Sequence, residues 1–217
     1  MNPELYIGMI SGTSRDGVDA ALVRFNDNWP EVIEADCVPY PPDLATALRE
    51  VVATGQRPTP EEEVSLDQPL AAHFSRVATS LLEKAGVNPV DVAAIGSHGH
   101  TVWHDPDGEN PETIQLGYPE SIARHTGIVT VGDFRQAEME AGGQGAPLPP
   151  QLHRALLSPA IHSGTGRGAV LNLGGIANIS ILGVSGSVSG FDTGPANCLM
   201  DSWIESNLKQ AFDRDGC

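Results

Sequence analysis

The first candidate for chemistry is a glycine-rich turn between residues 8 and 19, with the sequence GMISGTSRDGVD. Glycine lets the backbone approach a ligand closely, and successive N–H groups together with the Thr13 and Ser14 hydroxyls can cradle a phosphate. Asp16 and Asp19 add carboxylates that could orient Mg²⁺ or the hydroxyl groups of a substrate. The turn lacks the GxxxxGK[ST] pattern of a P-loop, and a plain β-hairpin turn explains it equally well.

A second glycine turn, formed by Gly174 and Gly175 in the stretch LNLGGIANIS, repeats this arrangement. Further along, the stretch GFDTGPAN contains Asp192 and runs into a predicted helix. A lone aspartate at such a position is often a helix cap or a turn residue. Placed opposite a phosphate-binding turn, the same carboxylate could act as a general base toward water or a hydroxyl. The residues alone leave both interpretations of Asp192 open.

Three histidines follow Ser97 at the exit of an apolar strand, in the stretch GSHGHTVWH. The spacing of His98, His100 and His104 raises the question of a zinc site. A strand that continues into a loop points such side chains in different directions, however, and no neighbouring cysteine or HExxH helix supports a metal. We expect the imidazoles and Trp103 to line a sugar pocket, with the apolar strand ending in a polar loop.

Arg135 follows a predicted strand in the stretch VGDFRQ and precedes the glycine-rich GGQGAP. A guanidinium at this place can form a two-pronged pair with a carboxylate of a ligand. A surface pair between Arg135 and Asp133 is the alternative.

The overall charge excludes several kinds of partner. The chain of 217 residues has 28 acidic residues against 12 basic ones, a net charge of −16. Such a surface repels nucleic acid, anionic membranes and ATP, so that any phosphate site must be local. The three cysteines are widely spaced and form no CxxC pair, and no segment has the pattern of a signal peptide or membrane span. We therefore expect a cytoplasmic protein.

The order of predicted elements indicates an α/β fold. Residues 4–38 have the pattern of a three-stranded meander, and two helical segments follow. Pro69 should kink or split the second of these helices. A second run of three strands and one helix begins near residue 168. Because the same order starts twice, we expect two related domains.

Loops rich in glycine, serine and proline separate these elements. We expect one loop at 141–150 and another at 158–168. The composition changes at the second loop, which predicts one domain over residues 1–165 and the beginning of another over residues 166–217.

Five stretches resemble, in order and spacing, the anhydro-N-acetylmuramic acid kinase family: MISGTSRDGVDAALV, IGSHGHTVWH, VGDFRQAEMEAGGQGAPLPP, LNLGGIANIS and GFDTGPANCLMDSWI. The resemblance covers essentially the whole chain. It implies the actin/hexokinase-type, ribonuclease H-like fold, with a complete first domain and a partial second one. It also implies an enzyme of peptidoglycan recycling that uses ATP and water to open 1,6-anhydro-N-acetylmuramic acid and phosphorylate O6, giving N-acetylmuramic acid 6-phosphate.

Carried over by position, the resemblance assigns three groups of residues. The contacts to the ATP phosphates fall on the two glycine turns, at Gly12, Thr13, Ser14, Arg15, Asp16, Gly17, Val18, Asp19, Gly174 and Gly175, with Asp16 also the candidate Mg²⁺ ligand. Asp192 corresponds to the general base for the attacking water, and Ser97, His98 and Arg135 fall where the family approaches the sugar. The implied cofactors are ATP and Mg²⁺, and the implied partner is a small sugar, with no nucleic acid and no membrane; a homodimer is left open.

The sequence departs from the family pattern at five positions: Arg15, His100, Glu138, Glu140 and Ala196. Leucine is usual in place of Arg15, glutamine in place of His100, and glycine in place of Ala196. An alanine would be strained by about 1 kcal/mol if the backbone there needs a positive φ. The family also continues beyond Cys217, so we expect a truncated member without the later loop that holds adenosine.

Two alternatives to an active kinase remain open because of that missing loop. One is a catalytically inactive fragment, and the other is a non-catalytic module that binds muramic sugars. A related kinase acting on acetate or glycerol is disfavoured, because GSHGHTVWH and GGQGAP resemble only the one family.

Overall fold

A computed structural model describes residues 4–12, 17–26, 30–162, 166–184, 186–210 and 212, the side chains of 158–162 excepted. Thr13, Ser14, Arg15 and Asp16 of the predicted phosphate turn lie outside the described residues. By contacts the chain divides into two compact units, Met1–Gly143 and Gln144–Cys217. The domain boundary predicted between residues 165 and 166 stays a prediction.

The first unit is built on one mixed β-sheet. Its strands are β1 (Glu4–Ser11), β2 (Gly17–Phe25), β3 (Glu31–Pro39), β4 (Val92–Asp105), β5 (Glu112–Leu116) and β6 (Thr130–Val131). The strand order is β3-β2-β1-β4-β5, with β6 paired to β4. β1, β2 and β3 form an antiparallel meander, whereas β4 runs parallel to both β1 and β6. A meander extended by parallel strands is the ribonuclease H-like arrangement, and it confirms the α/β prediction.

Helices cover one face of this sheet. They are α1 (Pro42–Ala53), α2 (Pro60–Ala85) and α3 (Pro119–Thr126), with a 3₁₀ turn at Pro89–Asp91. The short α4 (Gln136–Glu140) contributes no residue to the hydrophobic core beneath them. The long helix α2 supplies much of the core through Leu70, Phe74 and Leu81, all fully buried. The predicted split at Pro69 is wrong, because α2 runs on past it. Pro69 is exposed, so water can reach the backbone carbonyl that the missing N–H leaves without a helical partner.

Strand β4 is longer than the sequence indicated. The predicted polar loop over Ser97–His104 is wrong, because this stretch continues as strand and pairs with β5 from His100↔Leu116 to Asp105↔Glu112. Gly99 interrupts the regular alternation with φ +71°, and a Cβ there would lie 2.4 Å from the Leu116 carbonyl oxygen. The glycine therefore lets the polar end of β4 turn and still pair.

The second unit begins with α5 (Pro149–His162). Part of the loop predicted at 158–168 is therefore wrong, since the helix continues to His162. Strands β7 (Gly168–Leu173), β8 (Ile176–Leu182) and β9 (Val188–Pro195) form an antiparallel sheet in the order β7-β8-β9, and α6 (Asn197–Leu208) follows. The repeated order of three strands and a helix is confirmed.

Large apolar side chains remain exposed in the second unit. Cross-strand neighbours Leu171 and Phe191 flank Ile179 on one sheet face, and they are 57% and 51% exposed. Apolar side chains of α6 are exposed too, at Leu199, Trp203 and Leu208, and Ile204 is its buried residue. Among the described residues nothing covers these surfaces. None of the described helices is long and apolar enough to cross a membrane.

Candidate functional site

The first glycine turn joins two antiparallel strands. Gly12 follows the last residue of β1, while Gly17, Val18 and Asp19 open β2, and Ile10 pairs with Asp19 across the hairpin. Close packing also requires a glycine at position 17, because a Cβ there would lie 2.3 Å from the carbonyl oxygen of Val38 on β3. The hairpin geometry is compatible with both sequence interpretations of the turn.

Asp19 lies on the sheet face that the helices leave open. It borders a shallow depression of about 470 Å³ whose other lining residues are Gly8, Ile10, Ala20, Ala21, Ala35, Asp36 and Cys37. The depression is largely apolar, and Asp19 brings a carboxylate to its edge.

A buried hydrogen bond fixes the base of the turn. Ser11, the last residue of β1, places its Oγ 3.0 Å from Nδ1 of His100, and the two residues are 3% and 1% exposed. The rings of Tyr40 and His73 pack beside them, with 5.2 Å between the two centroids. His100 is therefore a core residue of the first unit. The prediction that it lines a sugar pocket is wrong, because the continuing strand turns it inward.

The three histidines of β4 have separate partners. His104 Nδ1 lies 3.0 Å from the Thr113 hydroxyl on β5, whereas His100 contacts Ser11. Among the residues that the structure describes, no three His, Cys, Asp or Glu side chains converge as a metal site.

His98 and Arg135 come together although 37 residues separate them in sequence. The Arg135 Nε–H donates a hydrogen bond of 2.9 Å to His98 Nε2, and His98 Nδ1 lies 3.2 Å from the Gly99 carbonyl oxygen. Because an arginine Nε always carries its hydrogen, the acceptor Nε2 must be unprotonated, and Nδ1 donates to Gly99. The ring is therefore neutral, in one tautomer.

The surroundings of His98 favour this neutral form. Burial above all, together with the positive charge of Arg135, lowers the pKa of His98 to about 4, against a smaller opposing effect of the Gly99 carbonyl. Its neighbour Ser97 is 2% exposed, and among the residues that the structure describes the Ser97 hydroxyl has no hydrogen-bond partner. His98 and Arg135 thus meet where β4 passes the start of α4. Ser97 precedes His98 on the strand and pairs with the buried residue Met9, so its side chain lies on the core face of the sheet.

The backbone around Arg135 is bent sharply. Asp133 has φ +58°, in the left-handed region that aspartate tolerates better than most residues, and Arg135 is the N-cap of α4. Met139 N donates to the Arg135 carbonyl oxygen at 3.1 Å, which ties this residue to the short helix. The sequence had not predicted α4, whose five residues are too few for a periodic pattern.

Asp192 lies in β9 and not in a loop. It is exposed, and its partner across the sheet is Asn178 of β8, which in turn pairs with Asn172 of β7. Directly opposed residues share a sheet face, so one polar row crosses the three strands at Asp192. The two asparagines had not been nominated from the sequence, although their position beside the glycine turn was a usable signal.

The second glycine turn caps α6. The Gly175 carbonyl oxygen accepts from Ala196 N at 2.9 Å and the Gly174 carbonyl oxygen accepts from Asn197 N at 3.1 Å. These bonds satisfy N–H groups at the start of the helix. Ala196 has φ −124°, so the positive φ for which strain was expected is absent.

Helix α5 packs against the same sheet. His153 Nδ1 lies 2.8 Å from the hydroxyl of Ser180, which is fully buried. A Cβ on Gly190 would lie 2.5 Å from Pro150 Cγ, so the close approach of α5 to β9 requires glycine. Packing against α5 therefore explains why glycine occupies position 190, two residues before Asp192.

Residues 4–217 match the sequence profile of one family, described as anhydro-N-acetylmuramic acid kinase. A protein of this name from Xylella fastidiosa is 46% identical over 216 residues, which cover 98% of this chain and 55% of the relative. One from Haemophilus influenzae is 44% identical over 216 residues, with 100% and 55% covered. The chain therefore spans about half the length of the curated relatives it matches.

Among solved structures, a Ppx/GppA family member from Aquifex aeolicus is 13% identical, with a TM-score of 0.44; the match covers 92% of this chain and 54% of that one.

Proposed function

We propose, because this chain belongs to the anhydro-N-acetylmuramic acid kinase family, that it is part of an ATP-dependent kinase that opens 1,6-anhydro-N-acetylmuramic acid and yields N-acetylmuramic acid 6-phosphate. The observation that carries the proposal is the family match over residues 4–217. The chain corresponds to about 55% of the relatives' length, so the proposal concerns a protein of full family length that contains this sequence.

The hairpin between β1 and β2 is the proposed site for the ATP phosphates. Gly12 and Gly17 to Asp19 lie where the two strands meet, and the buried bond between Ser11 and His100 gives this place a fixed base. In a chain with net charge −16, backbone N–H groups are a suitable means of binding an anion locally.

Mg²⁺ fits this site by the chemistry of its donors. The ion usually retains several waters and is held by one or two carboxylates together with substrate phosphates. Asp19 offers a carboxylate at the open edge of the hairpin, and Asp16 is the second candidate. When bound, the ion would neutralise negative charge on the phosphates.

Ser97, His98 and Arg135 form the proposed sugar site. The Arg135 guanidinium provides a planar, permanently charged partner for the lactyl carboxylate of the sugar. Ser97 belongs to this proposed site by its position in the family pattern; its hydroxyl is buried and has no hydrogen-bond partner among the described residues. Neutral His98 adds no positive charge to the site, so Arg135 is the charged contact of the three.

Asp192 is the proposed general base. It would accept a proton from water as the water oxygen bonds to the anomeric carbon C1 and the bond from C1 to O6 breaks. O6 then attacks the γ-phosphorus of ATP, and ADP leaves. General-base assistance of this kind is worth roughly 10²–10⁴-fold in rate.

The reducing cytoplasm is the proposed compartment. The described cysteines Cys37 and Cys198 form no disulfide, and disulfides are rare in the cytosol.

A second candidate concerns the 217 residues alone, which we propose to bind the sugar without phosphorylating it. The proposed sugar residues all lie in the first unit, which has its own core. The second unit, by contrast, carries the proposed base Asp192 and leaves the apolar side chains of Leu171, Phe191 and Trp203 exposed. We therefore propose sugar binding, and not turnover, for the 217 residues alone.

The substrate specificity of a full-length protein tests the kinase proposal. We expect ADP release to require 1,6-anhydro-N-acetylmuramic acid, with N-acetylglucosamine, glycerol and acetate inactive in the same assay. ADP release that is equally fast with any of these acceptors would contradict the proposal.

A further inference from the structure

We propose that His98 is a positioning residue that orients Arg135 for a carboxylate ligand, an inference that rests on the proposed role of Arg135 in sugar binding. The observation behind it is the hydrogen bond from Arg135 Nε to His98 Nε2, 2.9 Å long. A ring nitrogen is an uncommon acceptor for a guanidinium, which usually pairs with carboxylates or phosphates. The acceptor itself brings no negative charge to Arg135.

The tautomer of His98 makes this bond directional. Nδ1 faces the Gly99 carbonyl oxygen at 3.2 Å, so the ring hydrogen is held there and Nε2 presents its lone pair. Gly99 itself is held by its left-handed backbone and its close approach to Leu116. The acceptor therefore lies on a rigid strand, 8% exposed, and fixes the plane of the guanidinium.

A fixed plane matters because two-pronged recognition of a carboxylate depends on it. The planar fork matches a carboxylate only when both are nearly coplanar, and less entropy is lost when the fork is held beforehand. A carboxylate at position 98 would also hold Arg135, but it would cancel the charge that attracts the ligand. A neutral imidazole holds the guanidinium without adding a negative charge of its own.

Two substitutions test the roles of the two His98 ring nitrogens separately. His98→Gln places an amide oxygen near the position of Nε2 and can still accept from Arg135. His98→Asn places its amide near the position of Nδ1, so it can reach Gly99 but not Arg135. The two variants are similar in polarity, so a loss that merely reflects a disturbed strand would affect both.

The first measurement uses the 217-residue chain without ligand. We expect the Arg135 Nε–H, observed by NMR, to exchange with water about tenfold more slowly than that of exposed Arg49. His98→Gln should keep this protection and His98→Asn should remove it. Equal exchange of Arg135 and Arg49 in the unchanged chain, or equal behaviour of the two variants, would overturn the positioning role.

The second measurement compares two sugars that differ by the lactyl group. We expect the chain to bind 1,6-anhydro-N-acetylmuramic acid about ten- to a hundredfold more tightly than 1,6-anhydro-N-acetylglucosamine, as a charge-assisted contact provides. His98→Gln should keep the preference, whereas His98→Asn and Arg135→Lys, which retains charge without the planar fork, should lose most of it.

The outcomes distinguish carboxylate recognition by Arg135 from the positioning of Arg135 by His98. Absence of any preference in the unchanged chain would overturn carboxylate recognition by Arg135, and with it the proposed sugar site. A preference that survives in His98→Asn or in Arg135→Lys would overturn only the positioning by His98. Should His98→Asn fail to fold, Arg135→Lys still decides whether orientation is needed.

Discussion

At the scale of single residues, the same stretch of sequence serves two different purposes. His98 and His100 are two positions apart on β4, yet one contacts Arg135 and the other contacts Ser11 in the core. Regular alternation would place both on one sheet face. The left-handed backbone at Gly99 breaks the alternation. Spacing between histidines was thus a poor guide to which of them reaches a ligand.

The depressed pKa of His98 predicts a pH dependence of stability. The pKa is 6.5 in an unfolded chain and about 4 in the folded one, so folding favours the neutral ring. This contribution is fully present above pH 6.5 and declines as the pH falls toward 4, because the unfolded chain then binds a proton that the folded chain does not. The total is at most about 3 kcal/mol.

Unfolding by urea, followed at several pH values, checks this dependence. We expect His98→Gln to flatten the decline between pH 6.5 and 4. Part of the decline should remain, because burial also lowers the pKa of His73. Parallel pH profiles for His98→Gln and the unchanged chain would show that His98 does not titrate as described.

At the scale of elements, helix α2 organises the first unit from both ends. A capping box at Thr59 and Glu62 closes its start, and Gly86 ends it in the left-handed region. Between them Asp67, 2% exposed, accepts two hydrogen bonds from backbone N–H groups, of Gly117 at 2.9 Å and of Tyr118 at 2.8 Å. This carboxylate fixes the turn between β5 and α3 to α2.

Removing that carboxylate should destabilise the first unit. Asp67→Ala leaves two backbone N–H groups without their acceptor, and we expect a loss of about 2–3 kcal/mol. Asp67→Asn keeps an oxygen acceptor at the same place and should lose clearly less. Urea unfolding followed by circular dichroism measures both, and equal losses in the two variants would show that the oxygen acceptor is not the stabilising feature.

Much of the element order could be predicted from the sequence because its signals are local. Residues 4–38 showed the pattern of the strands β1 to β3, and the glycine pair at 174 and 175 marked the turn between β7 and β8. Hydrophobic periodicity and turn residues act within a few positions, so a single sequence contains them.

The errors have a common physical cause. The polar end of β4 is a strand because β5 pairs with it, and a pairing partner is not visible in a local window. The stretch SPAIH forms the end of helix α5, although a loop had been predicted there from the sequence. The contact between His98 and Arg135 spans 37 positions and depends on the topology of the sheet. The sequence could nominate both residues but could not show that they bond.

At the scale of the whole molecule, the two units differ in how well they cover their apolar surface. The first unit encloses one continuous cluster that includes Ile7, Phe74 and Ile95, each at most 1% exposed. The second leaves Leu173, Phe191 and Trp203 more than half exposed. A group of exposed apolar side chains such as this either binds another structural element or lowers the local stability of the fold.

Hydrogen exchange on the 217-residue chain should reveal this difference. We expect amides of β7, β8, β9 and α6 to exchange about a hundredfold faster than those of β1, β2 and β4, which corresponds to about 2.7 kcal/mol in opening free energy. Few buried contacts hold the second sheet together, whereas α2 covers the first. Equal protection of the two sheets would mean that another chain, such as a second copy, covers the exposed surface.

We have proposed that this sequence contributes the water-activating base and the sugar site of an anhydro-sugar kinase. The most direct test is turnover in ¹⁸O-labelled water by a protein of full family length that contains residues 1–217. We predict a product with one ¹⁸O at C1 and the phosphate on O6. Asp192→Asn should bind the sugar normally and turn over roughly 10²–10⁴-fold more slowly. Unlabelled C1, or near-normal turnover in Asp192→Asn, would contradict the claim.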